Sequence, residues 1–156
     1  MWDVMELVSA GRAHLEAGRI EEAIASLTEA LEVQPEHAGA HTWLGLALHS
    51  KGRLAEAIDH YQRAIEADPQ APAAYLHLAN AYGRLGRYQE AVELFRRSIE
   101  LDPTYPYAHL GLAAALDRMG AREEAVQAYR QALELPLEPG AVQAVRRRLE
   151  RLSGRA

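Results

Sequence analysis

Four glycines, Gly18, Gly52, Gly86 and Gly120, stand 34 residues apart. The alanines Ala23, Ala57, Ala91 and Ala125 keep the same step, as do the glutamates Glu22, Glu56, Glu90 and Glu124. Pro35, Pro69 and Pro103 follow it too, and only the fourth unit departs, with Leu137 where a proline would fall. Several registers in step across the chain define four units: 4–37, 38–71, 72–105 and 106–139. A unit this short cannot enclose its own core, so its apolar face has to be covered by the next unit.

Each unit reads as two helices. In the third, Tyr75, Leu78, Ala79 and Tyr82 fall at helical spacing before Gly86. A glycine just past a helix adopts the left-handed conformation that closes the last turn. Tyr88, Ala91, Val92, Phe95 and Ile99 then mark one face of a second helix. Pro103 ends it, because proline lacks an amide proton and disfavours helix in the residue before it. Gly11, Gly45, Ala79 and Ala113 recur inside the first helices. Interior helical glycine costs roughly 1 kcal/mol relative to alanine, so a small residue kept there points to close helix–helix approach.

These units resemble the tetratricopeptide repeat (TPR). Unit three carries Tyr75, Leu78, Ala79, Tyr82, Ala91, Phe95 and Pro103 at the motif's places, and unit two carries His41, Leu44, Gly45, Leu48, Ala57, Tyr61 and Pro69. Unit four is looser, with His109, Leu112, Ala113, Leu116, Ala125 and Tyr129; unit one is loosest, with Leu7, Ala10, Gly11, His14, Ala23, Leu27 and Pro35. The resemblance implies an all-α, right-handed α-solenoid of four helix-turn-helix repeats in one domain spanning 1–156. A capping helix over about 140–153, with the apolar stripe Val142, Val145, Leu149 and Leu152, is expected to close the last repeat. Asp3 is expected to N-cap the first helix, with Trp2 folded onto its neighbour, so that both ends look finished.

Composition narrows the functional classes. Apolar residues make up 49% and charged residues 25%, as in ordinary globular proteins, and no apolar stretch reaches membrane-spanning length. The N-terminus lacks the basic and apolar regions of a secretory signal, which points to a cytoplasmic protein. Without cysteine there is no disulfide, thiolate nucleophile or thiolate metal ligand. The formal charge of −5 argues against nucleic acid as the main partner. The run Arg146–Arg147–Arg148 with Arg151 reads as the solvated face of the capping helix.

In the TPR family the first helices line a concave groove. Carried over by register, the resemblance places Val8 and Arg12 there from unit one, and Thr42, Trp43, Leu46 and His49 from unit two. Unit three adds Leu76, His77, Asn80 and Arg84; unit four adds Tyr107, Leu110, Ala114 and Arg118. Ser9, Ala73 and Asp117 share the face. Trp43 precedes the packing residue Leu44 and is turned from it by about 100°, which puts the indole on the working surface. The alternative is a seam position between units two and three. An apolar floor with arginines at its rim suits a peptide with apolar anchors and some acidic character. The carboxylate clamp of the chaperone-binding members would need Lys, Asn, Asn, Lys and Arg where this chain has Val8, Arg12, Trp43, Ala73 and His77. Binding of Hsp70 or Hsp90 tails is therefore not expected.

Catalysis is not expected either. Glu21–Glu22 and Glu123–Glu124 open second helices, where carboxylates complement the helix dipole, and no phosphate loop or nucleophile motif is present. His41 and His109 hold aromatic packing places, and His14 another. His60 lies on a second helix, away from the groove; His49 and His77 approach across neighbouring first helices but lack a third ligand. Neither metal nor cofactor is expected. The chain reads as a protein–protein interaction adaptor or scaffold, and the alternative is a structural, self-assembling homo-oligomer.

Overall fold

The computed structural model describes residues 1–154. Among them are nine helices and no strand: α1 (Val4–Glu16), α2 (Ile20–Val33), α3 (Ala38–Ser50), α4 (Leu54–Ala67), α5 (Pro72–Arg84), α6 (Tyr88–Leu101), α7 (Pro106–Arg118), α8 (Arg122–Leu133) and α9 (Pro139–Leu152). Packing divides the chain into two compact units, Met1–Ala81 and the residues from Tyr82 onward, with the division inside α5.

The periodic glycines do what their spacing implies. Gly18, Gly52, Gly86 and Gly120 all have φ between 76° and 78°, the left-handed region that side chains avoid. Each closes its helix with the same pair of bonds. After α1, the Gly18 amide donates to Leu15 O and the Arg19 amide to His14 O, at 3.0 and 2.8 Å. After α3, Gly52 and Arg53 donate to His49 and Leu48. This pattern satisfies carbonyls that the last helical turn leaves unpaired and aims the chain back into the second helix.

At the start of the chain, Asp3 caps α1 as expected. Its carboxylate accepts from the Glu6 amide while Glu6 accepts from the Asp3 amide, both at 2.9 Å. The companion expectation fails: Trp2 is 62% exposed rather than folded onto its neighbour. The capping box is made by the Asp3 and Glu6 carboxylates and backbone amides, and it forms without the preceding side chain packing down.

In the first unit, α1 packs on α2, both pack on α3, and α3 packs on α4. The small residues of the first helices mark the closest approaches. A Cβ on Gly11 would come within 2.4 Å of Leu27, and one on Gly45 within 2.4 Å of the Tyr61 ring. Leu27 and Tyr61 are both fully buried, so those glycines let large second-helix side chains reach the first-helix backbone.

In the second unit, α6 packs on α7, α7 on α8 and α8 on α9. Here the closest approach is at Gly111, where a Cβ would meet Phe95 at 2.3 Å. The terminal helix opens with Pro139 at its N-terminus, a place where the missing amide proton costs nothing. Val145 is its one buried residue, with Val142, Leu149 and Leu152 half-buried beside it.

Candidate functional site

The groove register maps onto one stripe of each first helix, because residues three, four and seven apart share a helical face. In the second unit the stripe on α7 is Tyr107, Leu110, Ala114 and Arg118. Tyr107, Ala114 and Arg118 are exposed and Leu110 is half-buried. The Tyr107 ring lies against Tyr105, with centroids 5.6 Å apart, and the Arg118 guanidinium sits 5.3 Å from the centre of the Tyr88 ring. Arg84 is exposed at the end of α5.

In the first unit, Thr42, Leu46 and His49 form the corresponding stripe of α3, all half-buried. The Thr42 hydroxyl is turned inward, donating to Ala38 O at 3.0 Å. Arg12 is exposed on α1 and pairs with Glu16 at 3.0 Å, which offsets part of its charge. Asn80 is exposed on α5. Two members of the register stand apart: Val8 is 8% exposed and Leu76 is 4% exposed. These two support the face from beneath and offer almost nothing to a ligand. Sequence spacing places a residue on a face but does not say how deep the next element sits over it.

Trp43 occupies a register of its own. Its counterparts 34 residues apart are His77 and Gly111. His77 stacks on Tyr61 of the preceding repeat, with centroids 5.9 Å apart and planes inclined by 28°. Gly111 meets Phe95 of the preceding repeat. Trp43 likewise packs on the preceding repeat, in a cluster with its Leu7, Val8 and Ala30 and with Ala40 of its own helix, and is only partly buried. In that cluster its packing partner is repeat one. The indole is half wall and half surface, with the Arg12 guanidinium 5.8 Å from its ring centre.

Four of the seven histidines form two pairs. His41 is buried; its Nε2 donates to Pro35 O at 2.7 Å, and its Nδ1 lies 3.0 Å from His60 Nδ1. The carbonyl can only accept, so His41 Nε2 carries a proton; in the neutral form of His41, its Nδ1 then accepts from His60 Nδ1–H. This pairing was not visible in the sequence, because the two residues lie 19 apart on different helices. His49 and His77 do approach each other. Burial first, and then the neighbouring His49 charge, pushes the His77 pKa down to about 4. His77 is therefore a neutral imidazole at physiological pH. No group of three or more His, Asp or Glu side chains among the described residues could hold a metal.

Asp117 shares the α7 face but is engaged within the fold. Arg148 of α9 grips it with two bonds, Nε to Oδ2 at 2.5 Å and Nη2 to Oδ1 at 2.6 Å. The Tyr129 hydroxyl adds a third bond at 3.3 Å. The arginine, more than any other contact, holds the Asp117 carboxyl below the usual carboxylate range. Among the described residues no helix is long and apolar enough to cross a membrane.

Tetratricopeptide repeat models match residues 8–72, 72–105 and 108–143. No curated protein matches the chain. Among solved structures, MamA is similar with 30% identity and a TM-score of 0.78, over 84% of this chain and 77% of that one. TTC0263, a thermophilic TPR protein of Thermus thermophilus, shares 21% identity with a TM-score of 0.82, over 97% of this chain and 84% of that one. YrrB, described as a TPR protein with an unusual peptide-binding site, shares 21% with a TM-score of 0.74, over 85% and 68%. With repeat models matching along most of its length and an all-α helical-repeat architecture, the chain belongs to the tetratricopeptide repeat family.

Proposed function

We propose that this protein is an interaction adaptor whose first-helix faces hold a peptide segment of a partner. The observation that carries the reading is the stripe on α7 of exposed Tyr107, Ala114 and Arg118 with half-buried Leu110. It offers an aromatic ring, an aliphatic contact, a gap left by a small residue and a cation, all within one helix face. A segment with apolar side chains and a carboxylate matches that order of groups. The α3 stripe of Thr42, Leu46 and His49, beside Trp43 and Arg12, supplies a second such face in the first unit. Aromatic and arginine side chains dominate binding energy at protein interfaces, and both faces contain them. YrrB lends the fold to this reading; binding in this chain rests on its own side chains.

The test is a panel of fluorescein-labelled peptides pairing two apolar anchors with zero to three glutamates, read by polarisation. Tyr107→Ala and Arg118→Glu are both exposed changes, so each should leave the melting temperature unchanged while weakening the best peptide at least about tenfold. Arg118→Glu should discriminate most strongly against the glutamate-containing peptides. Absence of binding across the panel, or binding indifferent to both substitutions, would overturn the proposal.

A further inference from the structure

Charge along this chain is strongly uneven. Residues 1–37 hold eight acidic side chains against two arginines, whereas residues 139–154 hold four arginines against one glutamate. Part of this charge is already engaged inside the fold. Glu16 pairs with Arg12, Glu21 with Lys51, and Asp3 and Glu6 make the cap of α1. Arg148 is taken by Asp117.

Apart from Glu36 in the loop after α2, what remains lies on two helices. On α2, Glu22, Glu29 and Glu32 are exposed, and none has an ion-pair partner among the described residues. Val33, 55% exposed, follows them at the end of the helix. On α9, Arg146, Arg147 and Arg151 are exposed and equally without partners among the described residues, with the exposed Ala144 beside them. Residues 22 to 32 run about 15 Å along a helix axis and residues 146 to 151 about 7.5 Å, so the basic face fits within the acidic one.

We propose that α9 of one molecule docks against α2 of a second copy, joining copies through these arginines and glutamates. This surface is separate from the first-helix faces and does not depend on peptide binding there. A second copy is favoured as the occupant because the chain itself carries the complementary face, with the right sign and enough length. The net charge of −5 meanwhile opposes approach to an anionic polymer or lipid surface. A contact between two different faces closes as a two-fold dimer where both α2–α9 contacts form at once, and builds chains or rings where only one can. Exposed ion pairs are individually weak and salt-screened, so association should rise with concentration and fall with ionic strength.

Sedimentation velocity over a concentration series, in low and high salt, tests this with two charge-reversed variants. One carries Arg146→Glu, Arg147→Glu and Arg151→Glu; the other carries Glu22→Lys, Glu29→Lys and Glu32→Lys. Circular dichroism should show both folded, since every changed side chain is exposed. The wild type should form larger species in low salt, and each variant alone should associate at least about tenfold more weakly. Mixing the two variants should restore association, because the new glutamates on α9 meet the new lysines on α2. A wild type that stays monomeric in low salt up to about 1 mM overturns the proposal. So does a mixture that behaves as the sum of its parts. Binding of the monomeric wild type to phosphatidylserine vesicles or single-stranded RNA, lost in the α9 variant, would assign the arginines to that partner instead and equally overturn it.

Discussion

The Nε2–H of His41 donates to the carbonyl of Pro35 across 2.7 Å, joining the start of one repeat to the end of the one before it. Tyr75 does the same for Pro69 through its hydroxyl at 3.0 Å, and His109 for Pro103 at 2.9 Å. Proline ends each second helix and leaves a carbonyl near the seam. A ring with a polar edge six residues later both fills the seam and satisfies that oxygen. This explains histidine or tyrosine at a place where packing alone would accept phenylalanine.

His41 leaves its Nδ1 lone pair to be met by His60. Replacing His60 with leucine strands that buried nitrogen and should cost about 1–2 kcal/mol. In a His41→Tyr background no such nitrogen exists, and the same replacement should be nearly neutral. A urea-unfolding double-mutant cycle measures the difference, and equal costs in both backgrounds would refute the tautomer assignment. Repeat four already shows the stranded case: His109 Nδ1 is buried without a partner among the described residues, and the residue in the place of His60 is Ala128.

Stability should fall as the solution is acidified through the range where unfolded histidine charges. The folded pKa of His77 is lowered to about 4 from the ordinary 6.5, so below pH 6.5 the unfolded chain binds more protons. The stabilisation is present in full above 6.5 and is lost progressively down to about 4, on the order of 3 kcal/mol in all. Burial also lowers the His60 pKa, with the charge of His41 adding to it, so His60 contributes in the same direction. His77→Phe keeps a ring against Tyr61 but cannot titrate. Melting temperatures of the two proteins between pH 7 and 4 should diverge, with the variant flatter; parallel curves would count against the buried neutral imidazole.

Two helical glycines should respond oppositely to the same change. A Cβ at Gly111 would press on Phe95 at 2.3 Å, and Phe95 is only 3% exposed, so Gly111→Ala should destabilise by about 1–3 kcal/mol. Gly83 in α5 has nothing within 4 Å of such a Cβ, so Gly83→Ala should stabilise by up to about 1 kcal/mol through helix propensity. Thermal melts of both variants decide it, and a gain at Gly111 would mean that the α6–α7 approach is looser than its geometry shows.

Asp117→Asn should loosen α9 before it affects the rest of the second unit. The substitution removes the charge that Arg148 grips at 2.5 and 2.6 Å, while α9 has a single fully buried anchor, Val145. Faster amide hydrogen exchange confined to residues 139–152 is the expected signature. Uniform acceleration throughout the unit, or none, would show that the ion pair is not what holds the helix.

Much was legible in the sequence because repetition multiplies a weak signal. One glycine suggests a helix end; four in step predicted four left-handed closures, and all four occur. Asp3 just before the first helix was enough to anticipate an N-cap, since that motif is entirely local. The small residues Gly11 and Gly45 likewise announced close packing, and the structure supplies Leu27 and Tyr61 as the reasons. Gly111 escaped notice because it sits two residues before the small-residue place of its repeat and meets the helix on its other side.

The sequence by itself determined the repeat length, the helix ends and the family, because those depend on backbone conformation and on contacts within a few residues. Only the tertiary structure decided depth and pairing. Val8 and Leu76 share a helical face with exposed neighbours yet are buried, and Trp43 is divided between wall and surface. His41 finds His60, and Asp117 finds Arg148, across separations of 19 and 31 residues. A helix period sets the direction in which a side chain leaves its axis. How much of it stays in water is set by the distance to a neighbouring helix, and no single helix carries that distance in its own pattern.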